Sequence, residues 1–193
     1  ALMTGLQQEL RDRIVGSAAH VYVWKLGEVG MADYESDLER LRQLPRVTGV
    51  APVILGQALA TTDTGEAFIT VKGIEPDLEV EVTEIGSAIF DGSLDALAPP
   101  GPGAPEGLVI GNGLAAKLGA FVGDEVTLLT PKGRLTPLGV MPRARRFRVV
   151  GIFDMGFHQF DTAYGYVRLD VAARLLDRPG AEFLELKVDD LYA

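Results

Sequence analysis

Three stretches of this 193-residue chain carry side chains whose types and spacing could do chemistry. Asp63-Thr64-Gly65 has the order that acid proteases use, a chemistry that needs two carboxylates sharing one proton. The tripeptide occurs once, since Asp161-Thr162-Ala163 departs from it at the third residue. Asp63 also lies between two β-forming runs, where Asp and Gly are turn formers. Gly111-Asn112-Gly113, with Ala116, fits a G-x-G-x-x-A phosphate loop after an apolar run. That chemistry needs a long helix after the loop and an acid about 20 residues further on. Here the chain turns again at Gly119 and at Gly123-Asp124, which favours a plain strand-to-helix turn. His158 and Asp161 are spaced for an acid–base pair, but neither a nucleophile nor a metal partner stands near them in sequence. The expectation is a chain with no catalytic residue, no metal and no cofactor.

A fourth stretch is unusual in charge rather than in motif. Thr130–Val149 carries six basic residues and no acid, while the whole chain has 18 Lys and Arg against 27 Asp and Glu. One third of the positive charge therefore sits around Leu135, Leu138, Val140 and Met141, with Pro131, Pro137 and Pro142 stiffening the backbone. β runs flank the stretch on both sides, which predicts a hairpin whose connection is longer than the usual ~2–5 residues. Two readings follow from composition. In one, the apolar residues fold back into the chain's own core and the arginines are solvated. In the other, a stiff apolar tip on cationic feet binds a partner, since proline lowers the entropy that binding must overcome.

Composition removes several classes. A net charge of −9 argues against a nucleic-acid partner, which calls for a broad basic face. The absence of Cys removes thiolate metal sites, cysteine nucleophiles and disulfides, and suits an oxidising compartment in which the fold needs no staples. Only His20 and His158 are present, far apart. No apolar run approaches the ~20 residues that span a bilayer. The first residues, ALMTGLQQELRDRIV, begin without Met in full helical stride, so the chain reads as a soluble fragment of something longer.

The elements that would position these residues follow from periodicity. Leu2, Leu6, Leu10 and Ile14 form one stripe of an amphipathic helix. Residues 19–26 (AHVYVWKL) predict a strand. Asp33 is placed to cap a helix over YESDLERLRQL, with Leu38, Leu41 and Leu44 facing a core and Pro45 ending it. VTGVAPVILGQALATT and EAFITVKGI predict two strands joined at Asp63-Thr64-Gly65. Near Pro76 the character changes, and GSLDALAPPGPGAPEG reads as an irregular, Pro- and Gly-rich surface loop. Strand, short helix, turn and strand follow over LVIGNGLAAKLGAFVGDEVTLLT, then strands over FRVVGIFDM and TAYGYVRL. Asp170 is expected to cap a helix over VAARLLD, and FLELKVDD is a last strand. The fold class expected is α+β.

Taken in order, TGLQQELRDRIVG, VIGNGLAAKLGAFVGDEVTLLTP and LTPLGVMPRARRFRVVGIFDMGFHQFDTAYGYV resemble the periplasmic domain of bacterial lipoprotein-releasing ABC transporter permeases of the LolC/LolE type. More broadly they resemble the periplasmic core domain of MacB-type transporters. The resemblance covers nearly the whole chain, and its third segment is the most specific.

The resemblance implies a mixed α/β porter-like subdomain, residues 1–75 plus 170–193, with an inserted β-rich subdomain, residues 76–169. It implies a further porter helix and strand beyond FLELKVDD. It also implies placement between two membrane helices of an anchored permease, on the periplasmic side of the bacterial inner membrane. There would be a partner permease, a separate cytoplasmic ATPase and outer-membrane lipoproteins as cargo.

In LolC-type permeases the long hairpin is a protruding hook that recruits the periplasmic lipoprotein chaperone, LolA. The hook carries over to Pro131, Leu135, Thr136, Pro137, Leu138, Gly139, Val140, Met141 and Pro142, within 131–142. Arg145 matches a basic position of the supporting pad. Thr127 and Ala144 stand where the family offers polar or basic groups, and Arg143 and Arg146 can substitute for them. The LolE-type partner lacks the hook, so the hook favours a LolC-type or hybrid permease. The alternative implied is a MacB-like mechanotransmission domain of an efflux transporter, which does not need a hook.

Overall fold

The computed structural model describes the backbone of residues 18–25, 30–136 and 139–189, and the side chains at those positions except 132–141. The helical stripe expected at Leu2, Leu6, Leu10 and Ile14 lies outside the described residues, as do Pro137 and Leu138 of the expected hook.

The strands are β1 (Val21–Val23), β2 (Val47–Thr61), β3 (Glu66–Ile74), β4 (Ile89–Gly92), β5 (Glu106–Gly111), β6 (Glu125–Thr136), β7 (Gly139–Phe153), β8 (Tyr164–Arg168) and β9 (Phe183–Val188). They form one mixed sheet in the order β1-β9-β2-β3-β8-β5-β7-β4, with β6 pairing with β2 and β7. The β3–β8 and β5–β7 pairs are parallel. The helices are α1 (Tyr34–Arg42), α2 (Pro76–Val82), α3 (Ile85–Ala88), α4 (Asn112–Leu118), α5 (His158–Ala163) and α6 (Leu169–Leu176). None is long and apolar enough to cross a membrane among the described residues. Residues 76–169 supply β4 to β8, and they meet the flanking segments at the β3–β8 and β2–β6 pairs.

The period-2 alternation of the strands sorts their side chains between two faces. Ile54, Ala58 and Ala60 of β2, with Ile69 and Val71 of β3, pack against Val171, Ala172 and Leu175 of α6 and Leu114 and Leu118 of α4. The other face carries Ile74, Val109, Phe153 and Tyr166, closed over by Ile85 of α3 and by Leu94 and Leu97. Leu94 and Leu97 come from the Pro- and Gly-rich stretch, so that stretch is pinned by two buried leucines while its prolines and glycines run over the surface. At the β9 end, Leu38 of α1 packs with Val50, Leu184 and Leu186.

The β2–β3 hairpin turns at Asp63-Thr64-Gly65 as the sequence predicts. The structure differs from the sequence reading elsewhere. Of the strand expected over residues 19–26, residue 26 lies outside the described residues and strand structure is found at Val21–Val23, where β1 pairs with β9 alone among the described residues and Trp24 stands 57% exposed beyond it. Leu44 does not face a core: α1 ends at Arg42, and Leu44 is half exposed. Asp170 does not cap α6. Arg168 holds the cap position with extended dihedrals, and the carboxylate of Asp170, the second helical residue, accepts from the Arg168 guanidinium at 2.8 and 2.7 Å.

The connection between β6 and β7 is shorter than expected, because the two strands stay paired as far as Thr136↔Gly139. A register shift falls between the Thr130↔Arg143 and Arg134↔Met141 pairs. Pro131 and Pro142 both lie within it. Proline has no N–H to give a ladder, so a bulge in a two-stranded ribbon is where strands accept it.

Candidate docking surface

On the face of β2 and β3 away from α4 and α6, the register sets four side chains in a row across four strands. Phe68 of β3 stands opposite Leu59 of β2, Leu59 opposite Leu129 of β6, and Leu129 opposite Ala144 of β7. The row is open: Phe68 is 80% exposed, Ala144 is exposed, and Leu59 and Leu129 are half-buried. Pro131 and Pro142 extend the row on the hairpin side, and with Gln57, Leu59, Phe68 and Leu129 they line a shallow groove of about 280 Å³. Scattered exposed apolar residues need no explanation, but a contiguous apolar strip marks a contact surface.

The strip ends where the ribbon begins. Past Leu129, β6 loses its pairing with β2, and β7 pairs with β5 only from Phe147 onward. From there to Thr136 and Gly139 the two strands pair only with each other among the described residues. Leu135, Thr136, Gly139, Val140 and Met141 of the expected hook are thus placed on the ribbon by their backbone, while their side chains lie outside the described residues.

The three expected pad arginines divide between the faces. Arg146 stands opposite Thr127, on the side of the apolar row. It donates to Glu125 Oε2 at 3.3 Å, and Arg148 lies 3.8 Å from the same carboxylate. Arg143 and Arg145 stand opposite Thr130 and Leu128, on the α6 side. Arg143 Nη1 donates to the carbonyl of Arg174 at 3.3 Å, which ties the ribbon root to α6. Arg145 is exposed and forms no ion pair among the described residues, so its charge is available to a partner.

The catalytic motifs resolve into structural parts. Asp63 is exposed at its turn. The turn is fastened by its neighbours: Thr62 Oγ1 and Thr64 Oγ1 donate to the carbonyl of Leu118 at 2.6 and 2.7 Å. Gly65 passes so near α4 that a Cβ there would stand 2.3 Å from the Lys117 carbonyl oxygen. Gly111 and Gly113 face α5 rather than a phosphate space, since their Cβ positions lie 2.2 Å from Asp161 O and 2.6 Å from Thr162 Cγ2. Asn112 Nδ2 donates to Asp154 Oδ2 at 2.8 Å. His158 is exposed at the start of α5, whereas Asp161 is buried and accepts from the backbone N–H of Met155 at 2.8 Å. Among the described residues, no three His, Asp or Glu side chains gather as metal ligands.

Sequence reasoning missed Leu59, Phe68 and Leu129. The first two were within reach, because a hairpin turning at Asp63-Thr64-Gly65 sets them opposite each other. Leu129 was not, because the β2–β6 pairing joins residues about 70 apart and no local pattern encodes it.

The family described as "MacB-like periplasmic core domain" matches residues 1–191. The lipoprotein-releasing system transmembrane protein LolC of Xylella fastidiosa (strain Temecula1) is 32% identical over 191 residues, which cover 99% of this chain and 45% of that protein. The protein of the same name from Neisseria meningitidis serogroup B is 31% identical over 192 residues, covering 98% of this chain and 45% of that one. The chain thus spans under half the length of these relatives. Among solved structures, the extracellular domain of the noncanonic ABC-type transporter YknZ from Gram-positive bacteria superposes with a TM-score of 0.57 at 16% identity, over 88% of this chain and 81% of that one. That last likeness is one of fold.

Proposed function

The chain belongs to the MacB-like periplasmic core domain family, and from that premise we propose that it is the periplasmic domain of a lipoprotein-releasing permease that docks a periplasmic lipoprotein chaperone of the LolA type. The docking surface is the β6–β7 ribbon together with the apolar row at its root. The domain itself is not catalytic. ATP hydrolysis belongs to a cytoplasmic subunit, and a partner permease completes the transporter in the inner membrane. The LolC relatives, similar along almost the whole of this chain, support lipoprotein release over efflux.

The observation that carries the reading is the open row Phe68, Leu59, Leu129 and Ala144 at the foot of the ribbon. A carrier of acylated proteins must offer an apolar opening, and a partner can bury this row against its rim. Full burial of the exposed Phe68 contributes about 1.5–3 kcal/mol before the cost of association, and the half-buried Leu59 and Leu129 and the small Ala144 add less. The ribbon tip, with Leu138 and Met141, then enters the opening, and Arg145 meets acidic or carbonyl groups beside it.

The test is binding of the purified domain to a purified chaperone of this type. The parent is expected to bind. Met141→Asp and a variant lacking residues 132–141 are expected to lose it. Retention of binding by both variants would remove the hook from the mechanism.

A further inference from the structure

Three heavily buried charges lie outside every motif discussed so far. Lys72 of β3, Glu79 of α2 and Glu185 of β9 are 6%, 0% and 5% exposed. The Lys72 ammonium donates to Glu79 Oε1 and to Glu185 Oε2, each at 2.8 Å. It lies 5.8 Å from the centre of the Tyr166 ring, whose strand sets Tyr166 directly opposite Lys72. Glu79 Oε1 also accepts from the Thr83 hydroxyl at 3.0 Å. Glu79 Oε2 is buried with no hydrogen-bond partner.

Among the described residues, the surroundings supply no second cation. Tyr22 of β1 stands opposite Glu185, and Tyr164 and Tyr166 come from β8. β2 runs between β9 and β3 and brings Ala51, Val53 and Leu55 to the neighbouring register positions, none of them titratable. The other acids of α2, Asp77 and Glu81, are exposed, and Glu81 pairs with Arg42.

Two carboxylates about one ammonium leave one negative charge in excess at a buried site. An uncompensated buried charge is costly enough that the group takes up a proton instead. One nitrogen holds an oxygen of each carboxyl at 2.8 Å, and a like charge placed so near disfavours a second ionised carboxylate. A proton would in addition give one carboxyl a donor in a site where one oxygen now has no partner.

We propose that Glu79 and Glu185 form a buried proton-binding site, in which one proton shared by the pair makes the Lys72–Glu79–Glu185 cluster neutral and fastens α2 to the sheet. Burial raises the Glu185 carboxyl above its ordinary value, against the pull of Lys72. Burial opposes the Lys72 ammonium as well, but Glu79, Tyr166 and Glu185 outweigh it and hold Lys72 above its ordinary range. The linkage has a definite sign. The unfolded chain gives up the carboxyl proton near pH 4.3, as an ordinary Glu does. The folded chain keeps it to higher pH, so the stabilisation is complete below that value and is lost as pH rises through the folded one. Lys72 stays charged throughout this range and adds no slope. Release of the proton to solvent restores the excess charge and loosens α2.

The experiment is infrared spectroscopy of the whole chain at neutral pH, reading the C=O stretch of a protonated carboxyl, with urea unfolding from mildly acidic to mildly alkaline pH. The parent is expected to show one such band and a midpoint that falls as pH rises. Glu79→Gln and Glu185→Gln each leave one carboxylate for one ammonium, so either is expected to abolish the band and flatten the pH dependence. Absence of the band from the parent overturns the proposal, as does a band that survives both substitutions. Should a variant not fold, the parent spectrum decides alone.

Discussion

One face of the β2–β3 pair is built in two opposite ways along its length. Toward Ala51 and Ile74 it is covered by α2, and the side chains beneath are charged: Lys72 and, from β9, Glu185, with Glu79 descending from the helix. Toward Leu59 and Phe68 nothing among the described residues covers it, and the side chains are apolar. The usual order of polar outside and apolar inside is inverted at both ends. Singly exposed leucines say little about a protein, whereas buried charge and contiguous exposed apolar surface are informative. The covered end is expected to govern stability and the open end recognition, and substitutions can separate the two.

The largest effect is expected at the covered end. Lys72→Met leaves both carboxyls without their cation, and removing one partner of a buried ion pair costs about 3–5 kcal/mol. With a urea dependence of about 2 kcal/mol per molar, the unfolding midpoint falls by roughly 2 M. A shift below about a quarter of that would mean that water reaches the cluster and that the two ends do not differ in kind. Chaperone binding by the fraction that remains folded is expected to be unchanged, because Lys72 lies under α2 at the covered end of β3 and the apolar row lies at the open end of that strand.

The opposite pattern is expected at the open end. Phe68→Asp alters a side chain that is 80% exposed, so stability should move by no more than about 0.5 kcal/mol. Chaperone affinity should fall at least tenfold, about 1.4 kcal/mol. Leu59 is half-buried, so Leu59→Asp mixes the two effects and serves as the intermediate case. If Phe68→Asp binds as tightly as the parent while Met141→Asp does not, the hook acts alone and the row is not part of the interface.

The two ends were not equally legible. The β2–β3 hairpin, its turn and the β5–α4–β6 run follow from local patterns, and the structure has them. Both Leu59 and Phe68 were visible as strand residues, but their solvent face depends on which side α4 and α6 choose to cover. Lys72, Glu79 and Glu185 are spread over 113 residues, and each looks like an ordinary surface charge in its own segment. Lys72 sits in the alternating run EAFITVKGI on the same face as Phe68 and Thr70, so periodicity alone makes it solvated. Only α2, laid across that face by the chain after Pro76, buries it. The shortfall at β1 and the failed cap at Asp170 have the same origin, since pairing partners and ion pairs override local preference.

Arg145→Glu probes a smaller term on the α6 side of the ribbon. An exposed charge contributes about 0.2–1 kcal/mol to a contact, so affinity should fall several-fold at low salt. The loss should shrink as salt is raised and vanish near 1 M, where the screening length is about 3 Å. Arg143→Glu is the informative companion, because its guanidinium is engaged by the Arg174 carbonyl and it should act more on stability than on binding. Equal behaviour of the two variants would show that the ribbon does not present its faces differently to a partner.

The smallest effect is expected at Asp63, at the tip of the β2–β3 hairpin. Its carboxylate is exposed, and the hydroxyls of Thr62 and Thr64 make the bonds to Leu118. Asp63→Asn should therefore change stability by less than about 0.5 kcal/mol, as surface substitutions do, and leave chaperone affinity where it was. Thr64→Ala removes one hydroxyl-to-carbonyl bond and should cost about 0.5–1.5 kcal/mol. The order of these two variants in a urea series is the check. If Asp63→Asn proves the more damaging, the carboxylate has a role at the turn that its exposure conceals, and the open end of the sheet contains a polar site next to its apolar one.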